Sequence, residues 1–189
     1  MSIAGASATL AALLSNDLTA NGGLGGFSVA IMGPRDVRAD LANRVGLILY
    51  RVEVDPARRR HELPRATPFS PRRDALGLEL RYLLTVWGQA SAEGEQVMLS
   101  RCMDAFDRNP VISGPALAPG YPWEAGDALK ITPDSLPTDE LLRLWDTIDA
   151  PYQLTIPYLV RTVRLPVQTR TDAPMVDVRT LTAVPEVPR

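Results

Sequence analysis

Residues 76–88, LGLELRYLLTVWG, constrain this chain more than any other stretch. Leu78, Leu80, Tyr82, Leu84 and Val86 alternate with Glu79, Arg81, Leu83, Thr85 and Trp87, which is the period of a β-strand. An amphipathic helix follows. Ser91 is placed to cap it, Glu93 and Glu95 fall in the first turn where the helix dipole favours carboxylates, and Leu99, Cys102, Met103 and Phe106 share one face. Asn109-Pro110 stops it. The chain repeats this combination of strand and helix in residues 129–165, where Thr138 is placed to cap a helix with Leu141, Leu144, Trp145 and Ile148 on its apolar face. Dense structural signals therefore stand beside almost no catalytic groups. The whole chain has one His and one Cys.

The remaining elements follow the same reading. Ile3, Leu10, Leu13 and Leu14 recur on one helical face over residues 2–16, with Ser2 as cap. The glycine-rich run at residues 21–26 ends that helix and feeds a short apolar strand before Gly33-Pro34. Residues 44–54 read as a strand buried on both sides at its start and half exposed at its end. Ile48, Tyr50, Val52 and Val54 would share one face, and Val45, Leu47 and Leu49 the other. Residues 114–127 form a Pro- and Gly-rich loop anchored by Trp123. In the last strand, residues 152–165, Pro157 lacks the donor that a central ladder uses, so an edge position or a bulge is expected there.

Composition narrows the function classes. A chain of 189 residues with 46% hydrophobic content can bury one ordinary core. Twenty basic against 22 acidic residues give no global attraction to nucleic acid or to an anionic membrane. The N-terminal stretch lacks the basic residues that open an export signal, and no run approaches the roughly 20 apolar residues that span a bilayer. A soluble protein is expected. Cys102 has no intramolecular partner and fits a reducing compartment as a small packed residue.

No chemistry assembles. His61 lies in RRRHELPRATPFSPRR, beside Arg58, Arg59, Arg60, Arg65, Arg72 and Arg73, either as part of a solvated loop or in a basic surface for a protein or a phosphate backbone. The GGLGG run neither follows a strand nor opens a helix with a Lys-Ser or Lys-Thr pair, so it is not a nucleotide loop. Asp104 and Asp107 share a helix side without a third ligand. The serines have no adjacent base and no G-x-S-x-G elbow. No metal, cofactor or catalytic residue is expected, although an enzyme acting on a small ligand through an apolar pocket stays open as an alternative class. Past residue 165 the sequence is too sparse for a core of its own. It is either a disordered tail or an extended arm in which Met175, Val176, Val178 and Leu181 add to a neighbour's sheet edge.

The ordered set LELRYLLTVWG, AEGEQVMLSRCMDAF, NPVISG, ITPDSLPTDELLRLWD and PYQLTIPYLVRTVRL resembles the cap, or tail terminator, proteins of extracellular contractile injection systems, such as the Photorhabdus virulence cassettes and the antifeeding prophage. The resemblance covers residues 1–166. It implies an α+β fold of the phage tail-terminator kind, with a mixed, largely antiparallel sheet flanked by helices in one domain, residues 1–166; residues 167–189, which it does not reach, are read from their sequence as an extended arm or a disordered tail. It also implies a non-enzymatic protein that forms a homohexameric ring on sheath and inner-tube proteins, without nucleic acid or membrane, ends polymerisation and holds the sheath extended. Another ring component, a baseplate or connector, is the alternative. Assembly would occur in the bacterial cytoplasm, and the particle would then be released or retained. Arg58, Arg59, Arg60, Arg65, Arg72, Arg73, Trp123, Met175, Val176 and Val178 are the expected partner contacts.

Overall fold

A computed structural model of the chain describes residues 2–20, 26–37, 42–56, 61–62, 74–88, 91–148 and 150–167. Among these residues, three α-helices, α1 (Ile3–Ala20), α2 (Ala92–Arg108) and α3 (Thr138–Ile148), accompany seven strands: β1 (Ser28–Met32), β2 (Arg44–Val54), β3 (His61–Glu62), β4 (Asp74–Trp87), β5 (Val111–Ser113), β6 (Ala128–Pro133) and β7 (Thr155–Val167). They form one sheet in the order β1-β2-β4-β7-β6-β5, with β3 beside the start of β4. Among the described strands only the β1–β2 pair is parallel. The expected mixed, largely antiparallel sheet is thus present, and His61 lies on a short strand rather than in a loop.

One sheet face is dry. Leu78, Leu80, Tyr82, Leu84 and Val86 of β4 pack there with Leu10 and Leu14 of α1, Cys102 and Phe106 of α2, and Val160 and Val163 of β7. α1 starts where Gly5 N–H donates to Ser2 Oγ at 2.9 Å. It continues past the expected end because Leu18 prolongs the buried i, i+4 stripe of Leu10 and Leu14. α2 begins at Ser91, whose Oγ accepts from Gly94 N–H. Its buried side is Met98, Leu99, Cys102, Ala105 and Phe106, whereas Met103 points outward, 37% exposed. At 100° per residue the stripe centres on Cys102, so Met103 falls beyond its rim.

The other face carries a smaller cluster of Met32, Val37, Ile48, Leu83, Trp87 and Trp145. α3 docks on it, and Trp145 is its single buried residue. Thr138 is the first residue of α3 rather than its cap, because Leu141 N–H already bonds the Pro137 carbonyl.

Two irregularities overturn expectations about faces and edges. In β2 the register with β4 passes from Leu49↔Tyr82 to Arg51↔Arg81, leaving Tyr50 as an extra residue. That bulge moves Val52 and Val54 to the side of Leu78 and Leu80, not to that of Ile48. β7, in turn, lies inside the sheet between β4 and β6, not at an edge. Pro157 is tolerated because its missing donor faces the end of β6, where Asp134 N–H still donates to the Pro157 carbonyl at 2.9 Å. The β7 bulge lies further on, where Arg161 and Thr162 together oppose Glu79.

Candidate docking surfaces

Where α3 ends its cover, the second face of the sheet becomes a plate of charges. Arg81 on β4 donates from Nε to Glu53 on β2 at 2.9 Å and from Nη1 to Asp134 just past β6. Glu79 lies 3.9 Å from Arg81 and accepts from Arg161 Nε of β7 at 3.0 Å, and Arg51 bonds Glu53 at 2.6 Å. Residues from three strands and one strand end therefore converge, because strand alternation puts Arg51, Glu53, Glu79, Arg81 and Arg161 on one side. The hydrogen bond from Arg81 holds the Glu53 carboxyl below its usual range. The bond to Asp134 holds the Arg81 guanidinium still more firmly protonated. Burial, and then the charge of Asp134, raise the Tyr50 phenol beside them. The plate is pre-formed and internally balanced, which suits protein contact more than capture of a free anion.

Trp123 is half buried. Its indole N–H donates to the Ala118 carbonyl at 2.6 Å, and its ring lies over α1 so closely that a Cβ added to Gly5 would approach it to 3.1 Å. The loop is further tied down where Ala118 N–H donates to the buried Thr9 Oγ1 at 3.0 Å. Both ends of the sheet order, β1 and β5, are open on one side among the described residues. Each carries a half-exposed aliphatic side chain, Ile31 and Val111.

Arg58, Arg59, Arg60, Arg65, Arg72 and Arg73, and likewise Met175, Val176 and Val178, lie outside the described residues. The charged plate was not among the expected contacts. Its one sequence signal is charge at alternate positions of otherwise apolar strands. Among the described residues, no group of three His, Cys, Asp or Glu side chains is placed to hold a metal, and no helix is long and apolar enough to cross a membrane.

The helix-flanked, largely antiparallel sheet is a fold that this chain shares with solved terminator structures. Residues 5–179 match the Pvc16 N-terminal domain, and the chain belongs to that family. It is similar in structure to a sheath/tube terminator of an extracellular contractile injection system, PVC, in the extended state, with a TM-score of 0.66 and 15% identity. That match covers 99% of this chain and 64% of the other. It is also similar to the tube-terminating cap of the anti-feeding prophage, with a TM-score of 0.58 and 14% identity over 97% of this chain and 62% of the other. The chain thus spans less than two thirds of either relative. No curated protein matches it.

Proposed function

We propose that this chain caps a contractile injection particle: it closes the distal end of the tube and sheath, ends polymerisation and holds the sheath extended. The observation that carries this reading is the terminator fold, which runs through nearly the whole chain and coincides with membership of the Pvc16 family. Such a role needs docking faces and no catalytic group. The protein acts by burying the surface on which another ring would add.

The cap is a homohexameric ring, assembled in the bacterial cytoplasm on sheath and inner-tube proteins. A closed ring needs two different surfaces on each subunit, and the two ends of the sheet are suited to supply them. Residues 1–166 form its domain and 167–189 its arm. The arginine-rich segment at 58–73 and the Trp123 loop meet the particle. Electron microscopy of particles from cells lacking the gene tests the reading. Overlong or variable tubes, or sheaths that contract or detach, are expected; uniform, extended and capped particles would refute it.

A further inference from the structure

The uncovered half of the second sheet face is layered by charge. The side chains of Arg51 and Arg161 are 56% and 51% exposed, against 16% for Glu79 and 11% for Asp134. The carboxylates lie inward and orient the guanidiniums, so the outermost layer is cationic. Exposed Lys130, opposite Arg161 in the β6–β7 register, widens that layer.

α3 offers the opposite charge. With Trp145 as the residue set against the sheet, a turn of about 100° per residue brings Asp139, Leu142 and Asp146 within about 60° of one another on the helix. All three are exposed. Among the described residues neither aspartate has an ion pair.

We propose that this flank of α3 docks on the arginine layer of an adjacent copy; the inference deepens the ring reading above, rests on it, and adds a contact to those at the sheet ends. Arg51 and Arg161 stand two strand gaps and two residues of register apart, or about 12 Å. Asp139 and Asp146 are about 10 Å apart along the helix. Each aspartate therefore reaches one guanidinium, with Leu142 between them on the aliphatic arginine stems. A subunit's own α3 is already committed, since Trp145 holds it in the apolar cluster and its aspartates meet none of the plate's cations. Both surfaces occur on every copy, so a second copy is the occupant. The plate of one subunit and the helix of the next are different surfaces, and the contact runs head to tail as a closing ring requires. Three carboxylates among four cations leave too little net charge for a phosphate backbone, whereas oriented guanidinium forks fit single carboxylates.

Charge reversal in full-length chains, followed by sedimentation at low salt, tests this. The plate variant carries Arg51→Glu and Arg161→Glu, and the helix variant carries Asp139→Lys and Asp146→Lys. Each alone sets like charges against each other and is expected to raise the concentration for half-assembly by at least about tenfold. Mixing the two restores assembly, because alternating subunits of an even-numbered ring then present opposite charges at every contact. A plate variant that does not melt cooperatively is replaced by Lys130→Glu, since Lys130 has no ion pair among the described residues. Wild-type assembly by either variant alone, or no recovery on mixing, would overturn the contact and leave the ring standing. A wild-type chain that stays monomeric would overturn the contact as well, and tube length in the particles then judges the cap reading separately.

Discussion

The hydroxyls of Ser7 and Tyr82 lie 2.8 Å apart across the dry face of the sheet, joining α1 to the middle of β4. Ser7 Oγ–H also donates to the Ile3 carbonyl at 3.3 Å, which leaves its oxygen free to accept from the tyrosine. The two truncations are therefore unequal. Tyr82→Phe removes one net hydrogen bond and is expected to cost about 1 kcal/mol. Ser7→Ala strands a buried phenol and is expected to cost about 1–3 kcal/mol. Urea unfolding of both single variants and the double variant checks the order, and the double should cost less than the sum.

Gly46 exists to admit a ring. A Cβ there would stand 2.6 Å from Trp87 and 2.8 Å from the Met32 sulfur. Gly46→Ala is expected to destabilise the chain by about 1–3 kcal/mol through overpacking. Restored stability in the double variant with Trp87→Leu would trace the cost to that contact.

α3 hangs on Trp145, since Leu141, Leu144 and Ile148 are only half buried. Trp145→Ala is expected to release the helix without unfolding the sheet. Hydrogen exchange should show lost protection over residues 138–148 and none over β4.

Arg81 holds Glu53, Glu79 and Asp134 in one group. Its side chain is 23% exposed, between the surface and buried cases. Arg81→Ala is expected to cost about 1–2 kcal/mol in low salt, because Asp134 loses its cation while Glu53 and Glu79 keep Arg51 and Arg161. The difference from wild type should shrink in 1 M salt, as denaturation midpoints would show.

Burial pushes the Tyr82 phenol up to about 12, against the lowering effect of the Ser7 bond. In the unfolded chain it ionises near 10. The folded state favours the protonated form, so this contribution is complete below about pH 10 and is lost as pH rises through about 12. Absorbance titration of tyrosinate, run beside unfolding midpoints at pH 9 and pH 11, should show both shifts. Tyr82→Phe should flatten the decline.

The sequence made the long elements legible wherever burial and period agree. β4 could be read from its alternation, α2 from Ser91 and its stripe, and the half-exposed end of β2 from Arg51 and Glu53. What escaped was contributed by neighbours. The bulge at Tyr50 carries no local mark, since a single unpaired residue becomes visible only against β4. Pro157 read as an edge or bulge residue because sequence does not show that β6 stops beside it. The charged plate draws on residues 51, 53, 79, 81, 134 and 161, each of which alone reads as an ordinary strand or loop charge.

Pro157 also fixes where that plate can form. By withholding one donor it makes the bond from Asp134 the last rung of the β6–β7 ladder, so the chain turns away there with the Asp134 carboxylate beside Arg81. A one-atom deficiency on one strand thus serves as a length gauge for its neighbour. The position of the charge network is set by a proline that carries no charge and meets the network only through the main chain of Asp134.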